Sequence, residues 1–327
     1  MAEQGEAGQG SAPAALMDSV SSVAEETQQE VATIIDFPWG EAFTPLTARL
    51  ITQQRPTRLI IIAGGVKSGK STLLGTIYEK FYSGLFADYR FAGSKTLLEF
   101  ERICHDSRIA SNRTNPETDR TKYTSDFRLL HLEVQNINTN KKHDILFTDI
   151  TGEIFDDIRD SSDECRRHPI LLRCDHFALC LDGEKLSNAL TRGKEISDGV
   201  MIIRRLLDME ILGKHSFVDI LFTKLDIVTA AEREDGALKT YIEDIKVSKF
   251  QKLFSSRVSK LSISDIAARP DALNNSELNL GYGIDALLNR WVECYPSSRI
   301  KKIEEVKVYP RIRAIDKFTL THDDVRI

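Results

Sequence analysis

The sequence lacks a hydrophobic run long enough to cross a membrane, and its first 48 residues lack lysine and arginine. The longest aliphatic run, Leu59–Ala63, is far shorter than the roughly 18 residues that a membrane-spanning helix needs. No basic segment followed by an apolar segment opens the chain, as a secretory signal would require. We therefore expect a cytoplasmic protein that has no membrane span.

Cysteine is also scarce, and its spacing argues against two common uses. The five cysteines are odd in number, and none stands in a Cys-x-x-Cys pair. This distribution favours reduced thiols over disulfides or zinc ligands. The seven histidines likewise show no spacing that is typical of a metal site.

Negative charge is concentrated at the start of the chain. Eight carboxylates precede Ala48, while the rest of the chain holds all 44 basic residues and 41 acidic ones. Nucleic-acid-binding domains usually carry a basic stripe, so we expect no nucleic acid partner. Residues 1–35 are also poor in large apolar side chains, which predicts a disordered acidic tail. Residues 36–57 form a connecting segment, and its Trp39 and Phe43 are candidates to dock on the core.

From Arg58 onward, short β-rich runs alternate with longer helical patterns, which predicts βαβ units and a mostly parallel sheet. The candidate strands are Leu59–Ala63, Phe127–Gln135, Asp144–Asp149, His176–Asp182, Phe217–Thr223 and Val258–Ile266. The candidate helices are Ser71–Phe81, Glu195–Leu212 and Ile284–Val292. The polar loop Asn136–Lys142 is short enough to close an antiparallel hairpin between the second and third strands.

Three segments do not fit this alternation. Residues 82–125 and 229–254 are predicted insertions in a domain that spans residues 58–295, because loops of such length usually have a structure or a function of their own. Residues 296–327 form a C-terminal extension, in which Val306–Thr321 suggests an added strand or a docking arm.

The segment after the first strand matches the phosphate-binding pattern GxxxxGK[ST]. Glycines let backbone N–H groups turn inward around a phosphate, and the helix that begins there directs its positive dipole end at the ligand. The pattern assigns Lys70 to the β and γ phosphates and the Ser71 hydroxyl to Mg²⁺. The residues assigned to the nucleotide are Gly64, Gly65, Val66, Lys67, Ser68, Gly69, Lys70, Ser71 and Thr72. A glycine-rich turn that binds nothing is the alternative.

Two further motifs stand at the ends of later strands. In Asp149-Ile150-Thr151-Gly152, Asp149 would hold Mg²⁺ and the Gly152 N–H would sense a γ-phosphate. In Thr223-Lys224-Leu225-Asp226, the Asp226 carboxylate can accept hydrogen bonds from the N1–H and N2–H₂ edge of guanine. Adenine presents an acceptor in place of N1–H, so the carboxylate would disfavour it, and the Lys224 stem can lie along the base. Either motif alone is also compatible with a solvated strand end.

In this order the three motifs resemble the GTPase superfamily of the small-GTPase type, in the translation-factor-related branch of P-loop proteins. A narrower resemblance, to bacterial double-GTPase families, rests on Arg58–Gly69, on Asp149–Phe155 and on Arg90-Phe91-Ala92-Gly93-Ser94 followed by Leu98-Glu99-Phe100-Glu101-Arg102. The resemblance implies an α/β P-loop NTPase fold, with a mostly parallel six-stranded sheet that has one antiparallel strand and helices on both faces. It also implies GTP/GDP and Mg²⁺ as ligands, and a protein effector or co-encoded system components as partners.

Three positions depart from the superfamily pattern or match it poorly. Thr223 stands where relatives usually carry Asn, which is a tolerated change. Glu153 stands where many relatives carry a water-orienting Gln, and a carboxylate beside a γ-phosphate adds repulsion, so we expect slow hydrolysis. The last base-contact loop would follow the sixth strand, where Ser262 or Ser264 is placed to present a backbone N–H, although no Ser-Ala-Lys pattern is present.

The sequence does not fix the switch-I threonine that would complete the Mg²⁺ site. Four threonines precede the second strand, and of these Thr121 has the preferred spacing while Thr114 is nearly as good. Arg113 and Arg120 each precede one of these two threonines, so either is a candidate arginine finger in cis. Solvated loop arginines are the alternative.

We therefore predict a Mg²⁺-dependent GTP-binding switch that hydrolyses GTP slowly and signals to a protein partner. The residues assigned to catalysis are Lys70, Glu153, Thr121 and Arg113, and those assigned to the metal are Ser71, Asp149 and Thr121. One alternative is a P-loop ATPase or kinase, for which the match at Thr223–Asp226 would be coincidental. The other is a nucleotide-bound scaffold that does not hydrolyse its ligand.

Overall fold

A seven-stranded sheet organises the part of the chain that the structure describes. The structure is a computed structural model, and it describes residues 40–105, 127–271 and 278–293. The strands are β1 (Thr57–Ala63), β2 (Tyr89–Gly93), β3 (Arg128–Asn136), β4 (Lys142–Asp149), β5 (His176–Leu181), β6 (Phe217–Phe222) and β7 (Lys260–Asp265). All six strands that the sequence predicts are present, each within two residues of its expected bounds.

The strands lie in the order β2, β3, β4, β1, β5, β6, β7. Neighbouring strands from β4 to β7 are parallel, whereas β3 runs antiparallel to both β2 and β4. The mostly parallel α/β sheet with one antiparallel strand is therefore confirmed. The predicted count of six strands is wrong, because β2 lies within the segment 82–125 that was assigned to an insertion and adds a seventh strand at the sheet edge.

Helices cover both faces of the sheet. They are α1 (Arg49–Thr52), α2 (Lys70–Tyr82), α3 (Leu97–His105), α4 (Gly152–Asp160), α5 (Ser162–Arg167), α6 (Gly183–Ser187), α7 (Arg192–Asp208), α8 (Leu225–Glu234), α9 (Gly236–Ile245), α10 (Lys252–Phe254) and α11 (Ile284–Glu293). A 3₁₀ turn spans Pro169–Arg173, and a π-helical turn spans Lys246–Gln251. Within the described ranges, none of the helices has both the length and the apolar character that crossing a bilayer requires.

The central strand β1 shows why both faces need cover. All seven of its residues are buried, and successive side chains of a strand point to opposite faces of the sheet. Leu59 and Ile61 belong to a core cluster that includes side chains of α4, α7 and α9. Ile60 and Ile62 belong to a second cluster, which includes side chains of α2, α3 and α11.

The two predicted insertions contain regular structure. Within residues 82–125, the described part forms the edge strand β2 and the helix α3. Within residues 229–254 lie the end of α8, all of α9 and the π-helical turn. Leu238, Ile242 and Ile245 of α9 are buried in the core. Residues 229–254 are therefore part of the helical layer that covers the sheet.

The connecting segment reaches the core through Phe43. This side chain is fully buried, and the Phe43 and Leu129 backbones exchange two hydrogen bonds of 2.8 Å. Trp39 lies outside the described residues. The acidic tail (1–35), the switch-I candidates including Thr121 and Arg113, and the extension (296–327) also lie outside them.

A buried carboxylate joins α11 to the middle of the sheet. Asp219 on β6 is 2% exposed, and its two oxygens accept hydrogen bonds from Trp291 Nε1–H and Arg290 Nε–H, at 3.1 Å each. A buried charge costs stability unless it is paired and hydrogen-bonded. This contact therefore fixes α11 against the strand that leads to Thr223.

Replacing Asp219 by alanine should lower the free energy of unfolding by about 2–4 kcal/mol, because the N–H groups of Trp291 and Arg290 lose their acceptor. The matched control is Asp208→Ala, since Asp208 pairs with Arg257 at 3.2 Å but is 65% exposed. The control should cost less than about 1 kcal/mol. Urea unfolding of both variants measures the difference, and equal losses would contradict the prediction.

Candidate functional site

The phosphate-loop candidate forms a tight turn between β1 and α2. Gly64 has a φ of 141° and Gly69 a φ of 88°, which glycine tolerates because it has no Cβ. A Cβ on Gly64 would lie 2.4 Å from the carbonyl oxygen of Cys180 on β5. Lys67 also has a positive φ, of 65°, which costs on the order of 1 kcal/mol for a residue with a side chain. The backbone is thus held in the turned conformation that a phosphate-binding loop requires.

Lys70 begins α2 and reaches back over this loop. Its Nζ donates hydrogen bonds to the carbonyl oxygens of Gly64 and Gly65, at 2.8 Å each. The residue is only 8% exposed. Burial lowers the pKa of the Lys70 ammonium, and the charge of Asp149 partly opposes that shift. An anionic ligand at the loop would therefore stabilise the charged form of Lys70.

Two oxygen groups that lie far apart in the sequence meet beside the loop. Ser71 Oγ lies 3.5 Å from Asp149 Oδ1, although 78 residues separate them. Mg²⁺ prefers oxygen ligands and is usually bound by one or two protein groups together with phosphates and waters. Within the described ranges, no group of three or more His, Cys, Asp or Glu side chains is placed to hold a metal ion. The pair therefore fits Mg²⁺ that is shared with a phosphate ligand.

Gly152 brings the motif at the end of β4 against the phosphate loop. A Cβ on Gly152 would lie 2.3 Å from the backbone nitrogen of Val66 and 2.5 Å from the carbonyl carbon of Gly65. No side chain fits in that space. α4 begins at Gly152, and Glu153 is half-buried in its first turn. The structure therefore brings Gly152 and Glu153 to the carboxyl ends of the strands, beside the phosphate loop from which Lys70 and α2 begin.

Thr223 ties the candidate base-reading segment to the phosphate loop. Its Oγ1 lies 2.9 Å from the carbonyl oxygen of Ser68 and 2.9 Å from that of Leu181. Its backbone N–H also donates to the Leu181 carbonyl, at 3.0 Å. The threonine that departs from the superfamily pattern thus supports the loop through its hydroxyl.

Asp226 and Ser262 differ in their placement. Asp226 is 5% exposed in the first turn of α8, and its Oδ2 accepts a hydrogen bond of 3.0 Å from the Asp271 backbone N–H. Ser262 lies inside β7, paired in register with Asp219 and three residues before the strand ends at Asp265. The expectation for Ser262 therefore does not fit the structure, because a contact loop must follow the strand end. The segment that follows Asp265 reaches Asp226 instead.

The segment after β5, which begins α6, belongs to the site, and the sequence motifs did not identify it. Asp182 and Glu184 each hold the Lys224 ammonium at 2.8 Å. Burial lowers the pKa of Lys224, but the hydrogen bonds to Asp182 and Glu184 outweigh it and raise the pKa above its ordinary value. A Cβ on Gly183 would lie 2.1 Å from the Thr223 carbonyl oxygen. The sequence signal was available, since Asp182 follows an apolar strand as the other motifs do.

Lys185 of α6 lies next to the start of the phosphate loop. Lys185 Nζ would be 3.3 Å from a Cβ on Gly65, and it pairs with Glu195 Oε2 at 3.1 Å. The buried Glu195 also accepts a hydrogen bond of 2.8 Å from the Asp182 backbone N–H. Glu195 therefore fixes both ends of the segment Asp182–Lys185.

One family's sequence profile covers all of these elements. The profile of the family described as Double-GTPase 2 matches residues 58–292, which is more than half of the chain and includes every site residue placed above. The chain belongs to the Double-GTPase 2 family. Membership confirms the resemblance to P-loop GTPases of the double-GTPase kind and supports GTP as the nucleotide. A search of curated proteins gave no significant match.

Three solved structures are similar to this Double-GTPase 2 chain over part of their length. The bacterial selenocysteine-specific elongation factor EF-Sec has 16% identity and a TM-score of 0.32, over 76% of this chain and 29% of that chain. The S. cerevisiae Ski7 GTPase-like domain bound to GTP has 14% identity and a TM-score of 0.39, over 73% of this chain and 50% of that chain. The same domain bound to GDP and inorganic phosphate has 13% identity and a TM-score of 0.37, over 85% of this chain and 52% of that chain. This chain thus spans about half or less of their length.

In this Double-GTPase 2 chain, Gly152→Ala should weaken binding of a fluorescent GTP analogue by about tenfold to a hundredfold. The added methyl group cannot fit against Val66 without displacing the phosphate loop, and such overpacking costs about 1–3 kcal/mol. Gly193→Ala on α7 is the matched control, because a Cβ there meets nothing within 4 Å. Its affinity should not change. Unaltered affinity in a folded Gly152→Ala variant would argue against the assigned site.

Proposed function

We propose that this protein is a Mg²⁺-dependent GTP-binding switch that slowly hydrolyses GTP to GDP and phosphate and signals to a protein partner. The observation that carries the proposal is the 3.5 Å approach of Ser71 Oγ to Asp149 Oδ1 beside the phosphate loop. This approach joins the loop that would hold the phosphates to the segment that would sense the γ-phosphate through Gly152. A nucleotide with Mg²⁺ is a ligand that both segments can share.

The placement of Asp226 supports guanine as the base. The Thr223 hydroxyl fixes this segment relative to Ser68, so the protein sets the distance between the base and the phosphates. A carboxylate can accept hydrogen bonds from both N1–H and N2–H₂ of guanine. Each of its oxygens has two lone pairs, so the bond from Asp271 N–H leaves Asp226 with acceptor capacity for the base.

Hydrolysis would depend on positioning and on electrostatic stabilisation. Lys70 and the backbone N–H groups of the loop would stabilise the charge that develops on the phosphates. Ser71 and Asp149 would hold Mg²⁺, which would supply further positive charge to the phosphates. Glu153 adds a negative charge in the first turn of α4, and this repulsion is the reason for proposing slow turnover without a partner.

The proposed switch is α4. Its first residue, Gly152, touches the phosphate loop, while Arg159 near its other end contacts Asp156 at 2.9 Å and Asp198 of α7 at 3.2 Å. Binding of a γ-phosphate at Gly152 would therefore act on a helix whose far end is fixed. Loss of that phosphate on hydrolysis would release the contact. A protein effector or a co-encoded component would detect the difference.

Asp226→Asn should lower the affinity for GTP by about 10–100-fold and raise the affinity for xanthosine triphosphate. The amide of asparagine loses one acceptor for guanine, and a hydrogen bond to a charged group contributes about 1.5–3 kcal/mol. The same amide can accept from N1–H of xanthine and donate to its 2-oxo group. Titration with fluorescent guanine, xanthine and adenine nucleotides in Mg²⁺ measures the exchange of preference.

The control for this exchange is Asp244→Asn, which changes an exposed carboxylate on α9 and should leave all affinities unchanged.

The same titration tests the whole proposal. Removal of Mg²⁺ with EDTA should weaken GTP binding. Equal binding of ATP and GTP by the unsubstituted protein would favour an ATPase or kinase. Selective GTP binding without phosphate release would favour a scaffold.

Glu153→Gln should speed phosphate release from GTP by about three- to tenfold. The substitution removes a negative charge near the γ-phosphate and lowers the barrier by roughly 1 kcal/mol. Glu234→Gln makes the same chemical change at the exposed end of α8 and should leave the rate unchanged. Single-turnover phosphate release measures both rates, and a slower reaction in Glu153→Gln would show that the carboxylate assists hydrolysis.

A further inference from the structure

Thr151 has a buried hydroxyl that does not cap α4, the helix that follows it. The residue is 4% exposed, and no group within the described residues hydrogen bonds to its Oγ1. It occupies the N-cap of α4 with φ −66° and ψ 151°. An N-cap threonine normally accepts a hydrogen bond from an N–H two or three residues later, but Thr151 makes no such bond. Burial of a hydroxyl without a partner costs stability.

Thr151 lies between two residues that meet the phosphate site. Two residues earlier, Asp149 approaches Ser71 Oγ at 3.5 Å. The next residue, Gly152, approaches the loop so closely that its Cβ would lie 2.3 Å from Val66 N. The segment that meets the phosphate loop thus contains a neutral hydroxyl that can both donate and accept.

We propose that the Thr151 hydroxyl positions the water that attacks the γ-phosphate, an inference that rests on the proposed GTPase function. The water oxygen bonds to the γ-phosphorus while the bond from that phosphorus to the β–γ bridging oxygen breaks. The bridging oxygen leaves with GDP. One proton of the water passes to a γ-phosphate oxygen, so the products are GDP and inorganic phosphate. Thr151 Oγ1 accepts a hydrogen bond from the water, directs a lone pair at phosphorus and is itself unchanged.

A hydroxyl suits this task better than the neighbouring carboxylate of Glu153. It carries no charge and therefore does not repel the γ-phosphate. The two substituents on Cβ restrict its χ1 rotation, so burial holds the oxygen in one place. The proposal also accounts for a polar group that is costly in the nucleotide-free protein, because its partner arrives with the substrate. Stability is commonly given up in this way where activity requires it.

The test compares Thr151→Val, which keeps the shape and removes the hydroxyl, with Thr151→Ser, which keeps the hydroxyl. The matched control is Thr76→Val on α2. Thr76 is 1% exposed, and its Oγ1 also has no hydrogen-bond partner within the described ranges. Single-turnover phosphate release is measured with the full chain in excess over GTP and Mg²⁺. The affinities for GTP and GDP, and the melting temperature of the nucleotide-free protein, are measured separately.

Both valine variants should raise the melting temperature of the nucleotide-free protein by about 2–4 °C, because each removes a buried hydroxyl that has no partner. Only Thr151→Val should slow phosphate release, by about tenfold to a hundredfold. Its affinities for GTP and GDP should stay unchanged, and Thr151→Ser should restore most of the rate.

Three results would overturn the inference and leave the proposed function standing. They are an unchanged rate in Thr151→Val, a loss of GTP affinity in place of the loss of rate, and a lower melting temperature for that variant. Failure of the unsubstituted protein to hydrolyse GTP would overturn both the inference and the proposed function.

Discussion

The hydroxyl of Thr223 holds the site together, because it joins three segments that the chain supplies separately. Its oxygen lies 2.9 Å from the carbonyl of Ser68 in the phosphate loop and 2.9 Å from that of Leu181 at the end of β5. A hydroxyl has a single proton, so the two carbonyls share one donor. The close approach of Gly183 to the Thr223 carbonyl fixes the same segment from the other side. The spacing between Asp226 and the phosphate loop therefore follows from contacts made entirely within the protein.

The sequence predicts the strands that are buried on both faces, and also the less buried β7, but it misses β2. β1 and β5 are fully buried and mostly apolar, and such strands read as near-continuous hydrophobic runs. β2 has one buried residue, Tyr89, and its other four are exposed or half-buried. It lies at the sheet edge, so its composition resembles that of a loop. The helix α9, within the segment that was assigned to an insertion, has a recognisable pattern, since Leu238, Ile242 and Ile245 recur at helical spacing.

The same distinction applies to the site. The phosphate loop was predictable because its requirements are local: Gly64 and Gly69 need a positive φ, and the helix must begin directly after them. The contacts of Lys224 with Asp182 and Glu184 join residues some 40 positions apart, and only the parallel pairing of β5 with β6 brings them together. Ser262 was misplaced because the alternating pattern of β7 does not show where the strand ends. The pairing of β7 with β6 determines where β7 ends.

Several strained or unsatisfied groups lie where the nucleotide is proposed to bind. Lys67 has a positive φ, Lys70 is buried with a lowered pKa, and the hydroxyls of Ser68 and Thr151 have no partner within the described residues. Asp219, deep in the same sheet, has its charge fully paired. At Asp219 the interior of the sheet thus pairs its charge, whereas these groups beside the phosphate loop are left for a ligand. A ligand that satisfies these groups gains affinity from the cost that it relieves, and its binding stabilises the folded protein.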